Sequence, residues 1–204
     1  LAHIPVVIAV FYFILTTFNK RALKFVEETK TKKSEAKVVE PKNVSVSKDN
    51  IIGNLDSGFE ILDSAIDKAI LAISAEAVGA MEVLYKTTVE YTKTREQFGT
   101  PIGKFQVLQH RMVDMFMEYE QCKSLLYMAT MKHEEGASDA KKAISGLKYQ
   151  VGKAGKFIGQ QAVQLHGGMG VTDELNVGHY FKRLTTVGTI FGNTDYHLKK
   201  YTSL

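Results

Sequence analysis

DAKKAISGLKYQVGKAGKFIGQQAVQLHGGMG, residues 139–170, is the stretch that decides the fold. Apolar side chains recur in it at steps of three and four residues, the spacing of one helix face: Ile144, Leu147, Val151, Ala154, Ile158, Ala162 and Leu165. Its small residues would let a second helix approach closely: Gly152, Ala154, Gly155 and Gly159. We therefore expect a long helix from about Asp139 to His166, with Ser138 as its N-cap.

Two more stripes of the same period precede this helix. The first runs from about residue 57 to a break at residues 99–101, and it consists of Leu62, Ile66, Ile70, Ile73, Ala77, Met81, Leu84 and Tyr91. The second consists of Ile102, Phe105, Leu108, Met112, Met115, Tyr119, Cys122 and Leu126, and it ends at the turn HEEGASD, residues 133–139. Two shorter helical patterns follow, at about 174–187 and 193–202. Long helices joined by short turns pack antiparallel, so residues 54–204 are predicted to form an antiparallel helical bundle in a mainly α chain.

Residues 1–53 have a different texture. The run Ile4–Phe18 is uncharged for 15 residues, fewer than the roughly 20 that span a bilayer as a helix. Its β-branched and aromatic residues favour buried strands from part of a β-domain, whereas the Lys/Arg-rich segment after it would also suit a membrane anchor with a basic linker. Alternating polar and apolar residues around Pro41 and Gly53 predict strand, turn and loop. A short β-rich remnant and an anchor both stay open.

Charge and cysteine content exclude several classes of function. Of the 26 basic and 22 acidic residues, nine and five lie within residues 20–49, so the rest of the chain carries 17 of each. The net charge of +4 is therefore local, and we expect no basic face of the kind that binds nucleic acid. The single cysteine, Cys122, excludes an internal disulfide and a cysteine metal cluster. It lies on the apolar stripe and is expected in the core.

Two stretches could bind a ligand. In QLHGGMG, residues 164–170, the glycines could simply cap the helix, or Gln164 and exposed backbone N–H groups could bind a phosphate or a ring edge. The sequence contains neither G-x-x-x-x-G-K-[ST] nor a G-x-G-x-x-G between a strand and a helix. In YTKTREQFG, residues 91–99, Arg95 could grip a phosphate and Phe98 could stack on a ring. Alternatively, Arg95 is solvated and Phe98 lies in the core.

Together the two stretches resemble a known family. The pattern Y-x-x-x-R-x-x-F-G-x-x-I-x-x-F-Q, followed about fifty residues later by Q-x-x-G-G-x-G, is similar to the C-terminal helical domain of the acyl-CoA dehydrogenase family. The likeness extends from about Lys37 to the C-terminus. Stretches such as AEAVGAM, GQQAVQLHGG and GHYFKRLT look closest to the branch of the pimeloyl-CoA dehydrogenase small subunit.

The resemblance implies a four-helix bundle that assembles into dimers or tetramers and holds FAD partly across a subunit boundary. Carried over to this sequence, Arg95 and Phe98 would contact the pyrophosphate and adenine end of the neighbouring subunit's FAD. Gln164, Gly167 and Gly168 would reach the same cofactor. No metal is implied.

The resemblance also shows where this chain departs from the family. Family members remove an α-proton from an acyl-CoA with a glutamate while a hydride leaves Cβ for the flavin. In the segment TIFGNTDYHL, Thr194 matches a threonine that contacts FAD within its own subunit, but Gly192 occupies the position of the usual base. Ala69 occupies the alternative base position, and Ile70 replaces the arginine common beside it.

Three carboxylates could take the base's place. Glu76 is the first candidate, because a carboxyl on a mostly apolar helix bordering an acyl cavity would be desolvated, which raises its pKa. Asp195 and Glu174 are the others. Each also has a structural interpretation: Glu76 as a paired core carboxylate, Asp195 as an N-cap and Glu174 as a solvated loop residue.

The sequence thus predicts a subunit or fragment of a FAD-dependent acyl-CoA dehydrogenase, an oxidoreductase desaturating an acyl-CoA thioester. It would need missing domains or a partner subunit, homo- or heteromeric, to be active. One alternative is a non-catalytic assembly subunit that completes a partner's FAD site. Another is a helical bundle tethered to a membrane through residues 4–18; without that tether a cytoplasmic location is expected.

Overall fold

The computed structural model describes residues 44–45, 47–54 and 57–204. The chain divides between Asn50 and Ile51 into two units. The described part of the first contains a single 3₁₀ turn, Lys48–Asn50, and no strand. The β-rich remnant was predicted within residues 1–53 and the membrane anchor at residues 4–18; the anchor and most of the remnant lie outside the described residues. Within those residues, no helix has the length and apolarity needed to cross a bilayer.

The described residues of the second unit form five helices and one small hairpin. The helices are α1 (Gly58–Thr94), α2 (Gln106–Glu134), α3 (Ala140–His166), α4 (Asn176–Val187) and α5 (Thr194–Ser203). Two two-residue strands, β1 (Glu96–Gln97) and β2 (Thr100–Pro101), pair antiparallel between α1 and α2. Short 3₁₀ turns occupy Ile102–Lys104 and Gly167–Val171. The mainly α bundle predicted from the apolar periodicity is confirmed.

Two contacts fix the relative direction of α1 and α3. Near their N-terminal ends, Lys141 of α3 pairs with Asp63 of α1. Near their C-terminal ends, the Tyr91 ring of α1 stacks on the His166 ring of α3. The two helices therefore run parallel, with α2 antiparallel to both. As a consequence, the turn after α1 and the turn after α3 lie at the same end of the bundle.

Helix α3 contacts all four other helices, and its small residues allow the approach. A Cβ added at Gly159 would lie 2.7 Å from Cδ2 of Phe181 on α4, and one at Gly155 would lie 3.3 Å from Cε of Met81 on α1. The core around α3 is formed by the predicted stripes, including Met81, Leu84, Met115, Leu147, Val151 and Ile158. The first predicted stripe starts too early, since Leu62 is 56% exposed. The first turn of α1 extends beyond the N-terminus of α3 and has no partner helix there among the described residues.

Two local predictions at the second and third helices had different outcomes. Cys122 is fully buried, and burial raises the pKa of its thiol to about 12, so it is an unreactive core residue as expected. The prediction of Ser138 as N-cap is wrong. The capping position is Asp139, without a side-chain cap, because its carboxylate pairs instead with Lys132 across the turn.

Candidate functional site

A hairpin extends α1 beyond its last turn. The Arg95 N–H donates to the Tyr91 carbonyl at 2.9 Å, and the Arg95 carbonyl accepts from the Ile102 N–H at 2.8 Å. Pairing of β1 with β2 leaves Phe98 and Gly99 as the two central residues of the hairpin. Their φ angles are +55° and +71°, the sign that a type I′ turn requires at both positions.

Phe98 has a backbone conformation that phenylalanine rarely adopts. A bulky residue in the left-handed region costs on the order of 1–3 kcal/mol, and asparagine or glycine normally takes this position. Phe98 is nevertheless 94% exposed, and its ring is nearly perpendicular to that of Phe105, with centroids 6.3 Å apart. The core interpretation of Phe98 is therefore wrong. Arg95 is also exposed, and no carboxylate of the described residues pairs with it.

The glycine turn after α3 is open on one side. Gly167 has φ +61° and its N–H donates to the Gln164 carbonyl, ending the helix. A Cβ added at Gly167 or Gly168 would meet no atom within 4 Å, whereas one at Gly170 would lie 2.7 Å from the Val163 carbonyl oxygen. Gln164 is exposed on the last turn. The first two glycines therefore leave backbone accessible, while the third is needed for packing.

Tyr91 and His166 connect the hairpin to the glycine turn. Their ring centroids lie 4.3 Å apart, and the Tyr91 hydroxyl lies 3.4 Å from the His166 carbonyl oxygen. His166 is buried, and its Nδ1 lies 2.8 Å from the Ala162 carbonyl. Because the carbonyl is an acceptor, Nδ1 carries the hydrogen. The two stretches singled out in the sequence thus belong to the same end of the bundle.

The segment between α4 and α5 carries Gly192 and Thr194. Asn193 is the N-cap of α5, and its side chain accepts from the Tyr196 N–H at 2.9 Å. Asp195 lies one residue inside the helix and is exposed, so its N-cap interpretation is wrong. Gly192 has φ +107°, and a Cβ there would lie 2.4 Å from Cδ1 of Tyr196. A larger residue at Gly192 would have to displace the Tyr196 ring.

Lys148, on the buried face of α3, is a residue that the sequence analysis missed. Its side chain is 1% exposed, and Nζ donates to the Val187 carbonyl at 2.8 Å and to the Gly192 carbonyl at 3.3 Å. Burial lowers the pKa of this amine to about 8. The signal in the sequence was its position one helical turn after Ile144, on the apolar stripe.

His197 of α5 lies against the same segment and was also missed. It is fully buried, and its Nε2 lies 2.9 Å from the Phe191 carbonyl. Burial lowers the pKa of the imidazole, and the charges of Lys148 and Lys200 lower it further. Nε2 therefore carries the hydrogen of a neutral ring, and among the described residues Nδ1 has no partner.

Glu76 lies in a different environment from the one expected. Arg183 of α4 binds it with two hydrogen bonds, Nε to Oε1 at 2.5 Å and Nη2 to Oε2 at 2.8 Å. The hydrogen bond from Arg183 to Glu76 raises the pKa of the guanidinium. The geometry is that of a half-buried pair between α1 and α4, the alternative interpretation given to Glu76. Glu174 is exposed in the loop after α3.

Comparison with known proteins assigns the fold to a family. Residues 56–201 match the family model described as acyl-CoA dehydrogenase, C-terminal domain. This chain belongs to the acyl-CoA dehydrogenase family. The match extends from the start of α1 almost to the end of α5, so it includes every candidate residue from Glu76 to Asp195. The assignment to the branch of the pimeloyl-CoA dehydrogenase small subunit stays a prediction.

Individual acyl-CoA dehydrogenases and related structures agree with this assignment. The short-chain specific acyl-CoA dehydrogenase of Megasphaera elsdenii is 32% identical over 146 residues, which are 69% of this chain and 36% of that protein. The structure of PigA with FAD and proline superposes with a TM-score of 0.71 at 32% identity, covering 74% of this chain and 39% of that one. The ChsE4–ChsE5 complex from Mycobacterium tuberculosis gives 0.65 at 26% identity, covering 68% and 37%. The chain thus spans less than two fifths of the length of these relatives.

Proposed function

We propose that this chain is the FAD-binding helical part of an acyl-CoA dehydrogenase and that it binds the adenine and pyrophosphate end of the cofactor. The observation that carries the proposal is the exposure of Arg95 and Phe98 at the same end of the bundle as the open Gly167–Gly168 turn. The structure of a relative, PigA, contains FAD.

The chemistry of these residues fits a dinucleotide. An arginine without a carboxylate partner presents a planar fork of donors that matches phosphate oxygens. The exposed Phe98 ring offers a face on which adenine can stack. At Gly167 and Gly168 the backbone is accessible because no side chain covers it, and Gln164 adds an amide beside it. When bound, FAD supplies the two-electron acceptor for oxidation of the substrate; these residues bind and orient it.

The surface of α2 supports assembly with a second subunit. One side of this helix exposes Val113, Phe116, Met117, Tyr127, Met128 and Met131. A helix face with this many exposed apolar side chains marks a protein contact more often than a free face. A second chain there, identical or not, would suit the sharing of FAD between subunits that the resemblance implies. The ChsE4–ChsE5 structure is an example of a two-protein complex among the relatives.

For the chemical step, an acyl-CoA thioester is the substrate that the family resemblance implies, and Glu76 is the candidate base. Both of its carboxylate oxygens accept from Arg183. To act as the base, Glu76 would have to take the substrate proton at a lone pair that Arg183 does not occupy, or leave the pair. If Glu76 has no catalytic part, Asp195 and Glu174 are the remaining candidates in this chain. If none of the three acts as the base, the alternative is an assembly subunit that completes a partner's FAD site.

The experiment is FAD titration of the complete apoprotein, followed by flavin fluorescence. We expect Arg95→Met and Phe98→Ala each to weaken FAD binding roughly 10- to 100-fold, the effect of losing a charge-assisted hydrogen bond or a stacked ring. Phe59→Ala is the matched control, because Phe59 is an exposed phenylalanine at the opposite end of α1. ADP should compete with FAD, and the loss of ADP binding should follow the loss of FAD binding. Wild-type affinity in both variants would disprove the assignment.

A further inference from the structure

One short segment of backbone, residues 187–194, is held in place by three residues: Lys148, Gly152 and His197. Lys148 and Gly152 lie one turn apart on α3 and face the segment from one helix, and His197 faces it from α5. A Cβ added at Gly152 would lie 2.8 Å from Cγ2 of Thr194, so the threonine methyl group rests directly on the α3 backbone.

The held segment has an unfavourable backbone conformation. Phe191 has φ +60° and Gly192 has φ +107° in succession. A phenylalanine in the left-handed region persists only where the surroundings determine it, and here both carbonyls are held by buried basic side chains, Phe191 by His197 and Gly192 by Lys148.

Burying the Lys148 side chain costs free energy. Within the described residues, no carboxylate pairs with Lys148, and its hydrogen bonds go to main-chain carbonyls. The titratable neighbour facing it is His197 of α5, a neutral imidazole that itself lies near Lys200. Burying an amine without a counter-ion is costly, and an aliphatic residue would fill the same volume without that cost. What the amine adds is two donors directed at the segment.

The direction of the carbonyls also sets the direction of the amides. A trans peptide points its C=O and N–H to opposite sides. A Gly192 carbonyl directed at Lys148 therefore turns the Asn193 N–H away from α3. Among the described residues, this N–H has no backbone acceptor, and it lies next to Thr194, the residue that matches a FAD contact of the family.

We propose that Lys148 and His197 are positioning residues that fix the backbone of residues 187–194, so that Thr194 and the neighbouring amide face the flavin. The proposal rests on the proposed function, because the flavin is the ligand to be positioned. Neither side chain touches the cofactor in this scheme; both act through main-chain carbonyls. Gly152 also helps to position the segment, because a larger residue there would displace Thr194.

The first part of the experiment tests the buried amine without flavin. The pKa of Lys148 is about 8 in the folded chain against a usual 10.5. Between these pH values the unfolded chain keeps the proton that the folded chain has released, so stability rises with pH across this window. The urea midpoint of the wild-type apoprotein should therefore rise from pH 8 to pH 10 relative to Lys148→Met. Lys156→Met is the control, an exposed lysine two turns further along α3, and should follow the wild type. Equal pH dependence in wild type and Lys148→Met would overturn the proposal.

The second part measures positioning in the FAD-loaded protein. We expect Lys148→Met and Gly152→Ala to weaken FAD binding on the order of tenfold, and to change the visible circular dichroism of the bound flavin, at a temperature where each variant is folded. If Lys148→Met does not fold, Gly152→Ala decides, because it moves Thr194 without removing the amine. Unchanged affinity and circular dichroism in the folded variants would show a merely structural role and overturn the proposal. A wild-type protein that binds no FAD would refute the proposed function and the positioning role with it, but the pH difference would survive, so the two failures are distinguishable.

Discussion

The Tyr91 ring stacks on the His166 ring at 4.3 Å between centroids, and this contact brings the ends of α1 and α3 together. Tyr91 begins the motif that leads to Arg95, and His166 begins the glycine turn. The separation of the two candidate ligand-binding stretches in the sequence is therefore bridged by one aromatic contact. If the two stretches lay at opposite ends of the bundle, no symmetric pairing of two subunits could bring both of them to one dinucleotide.

Removing this contact should destabilise the bundle and loosen the site. We expect Tyr91→Ala to lower the free energy of unfolding by about 2–4 kcal/mol, since a large half-buried ring is lost. Tyr91→Phe is the matched control, with a loss of less than about 1 kcal/mol, because the hydroxyl bond that it removes is long and weak. Urea denaturation gives both values. An equal loss in the two variants would show that the hydroxyl, and not the ring, joins the helices.

The conformation of Phe98 predicts opposite effects on stability and binding. Phe98→Asn should raise the free energy of unfolding by about 0.5–1 kcal/mol, because asparagine tolerates the left-handed region and removes an exposed ring. The same change should weaken FAD binding, since the stacking surface is lost. Thermal denaturation and FAD titration test the two halves separately. A variant that loses stability would contradict the strain assigned to the turn.

Two glycines should respond to alanine in opposite directions. Gly159 in α3 has no room for a Cβ because of Phe181, so Gly159→Ala should destabilise by about 1–3 kcal/mol through overpacking. Gly79, exposed in the middle of α1, has no atom within 4 Å of an added Cβ. Gly79→Ala should therefore stabilise by about 0.5–1 kcal/mol through helix propensity. Chemical denaturation of both variants against wild type provides the measurement.

Glu76 and Arg183 allow the roles of base and structural pair to be separated. If Glu76 acts as the base, Glu76→Gln should reduce turnover of the complete enzyme by a factor of roughly 10²–10⁴, while Arg183→Met, which frees the carboxylate, leaves more activity than Glu76→Gln. If the pair is only structural, both single variants lose about 1–3 kcal/mol of stability, with strong non-additivity in the double variant. Turnover and denaturation of the full double-mutant cycle discriminate the two results.

Asp67 provides a prediction for pH dependence. It is buried on α1, one carboxylate oxygen has no partner among the described residues, and burial raises its pKa. A raised folded pKa means that the folded chain binds the proton more tightly than the unfolded chain, so stability falls as the pH rises from the unfolded value of 3.8 through the folded one. Asp67→Asn should stabilise the chain at pH 7 by about 1 kcal/mol or less.

The gain from the same variant should be smaller at pH 4 than at pH 7, because the raised pKa keeps more of the proton on Asp67 in the folded chain as the pH falls towards 3.8. Asp63→Asn, one turn earlier, is the control with the opposite sign, because hydrogen bonding to Lys141 lowers the pKa of Asp63. Urea midpoints at the two pH values give the comparison. A stabilisation by Asp67→Asn that is the same at both would contradict the assignment to the buried charge.

Helix positions followed closely from the sequence. The helix predicted from Asp139 to His166 is observed as Ala140–His166, and the pattern at 174–187 as Asn176–Val187. Periodicity is sufficient there because a helix face repeats within a few residues. The hairpin after α1 was not predicted, since strands of two residues carry no periodic signal, and its Phe98 breaks the residue preference of the turn.

The sequence by itself determined the helical bundle, its family and the two stretches that the proposed site uses. Only the tertiary structure decided that these stretches lie at the same end, that Glu76 is paired with Arg183 from 107 positions further along the chain, and that Lys148 is buried against the segment of Gly192. The physical reason is range. Helix formation and turn chemistry depend on residues within a few positions of one another, whereas an ion pair or a buried amine depends on partners that only folding brings near.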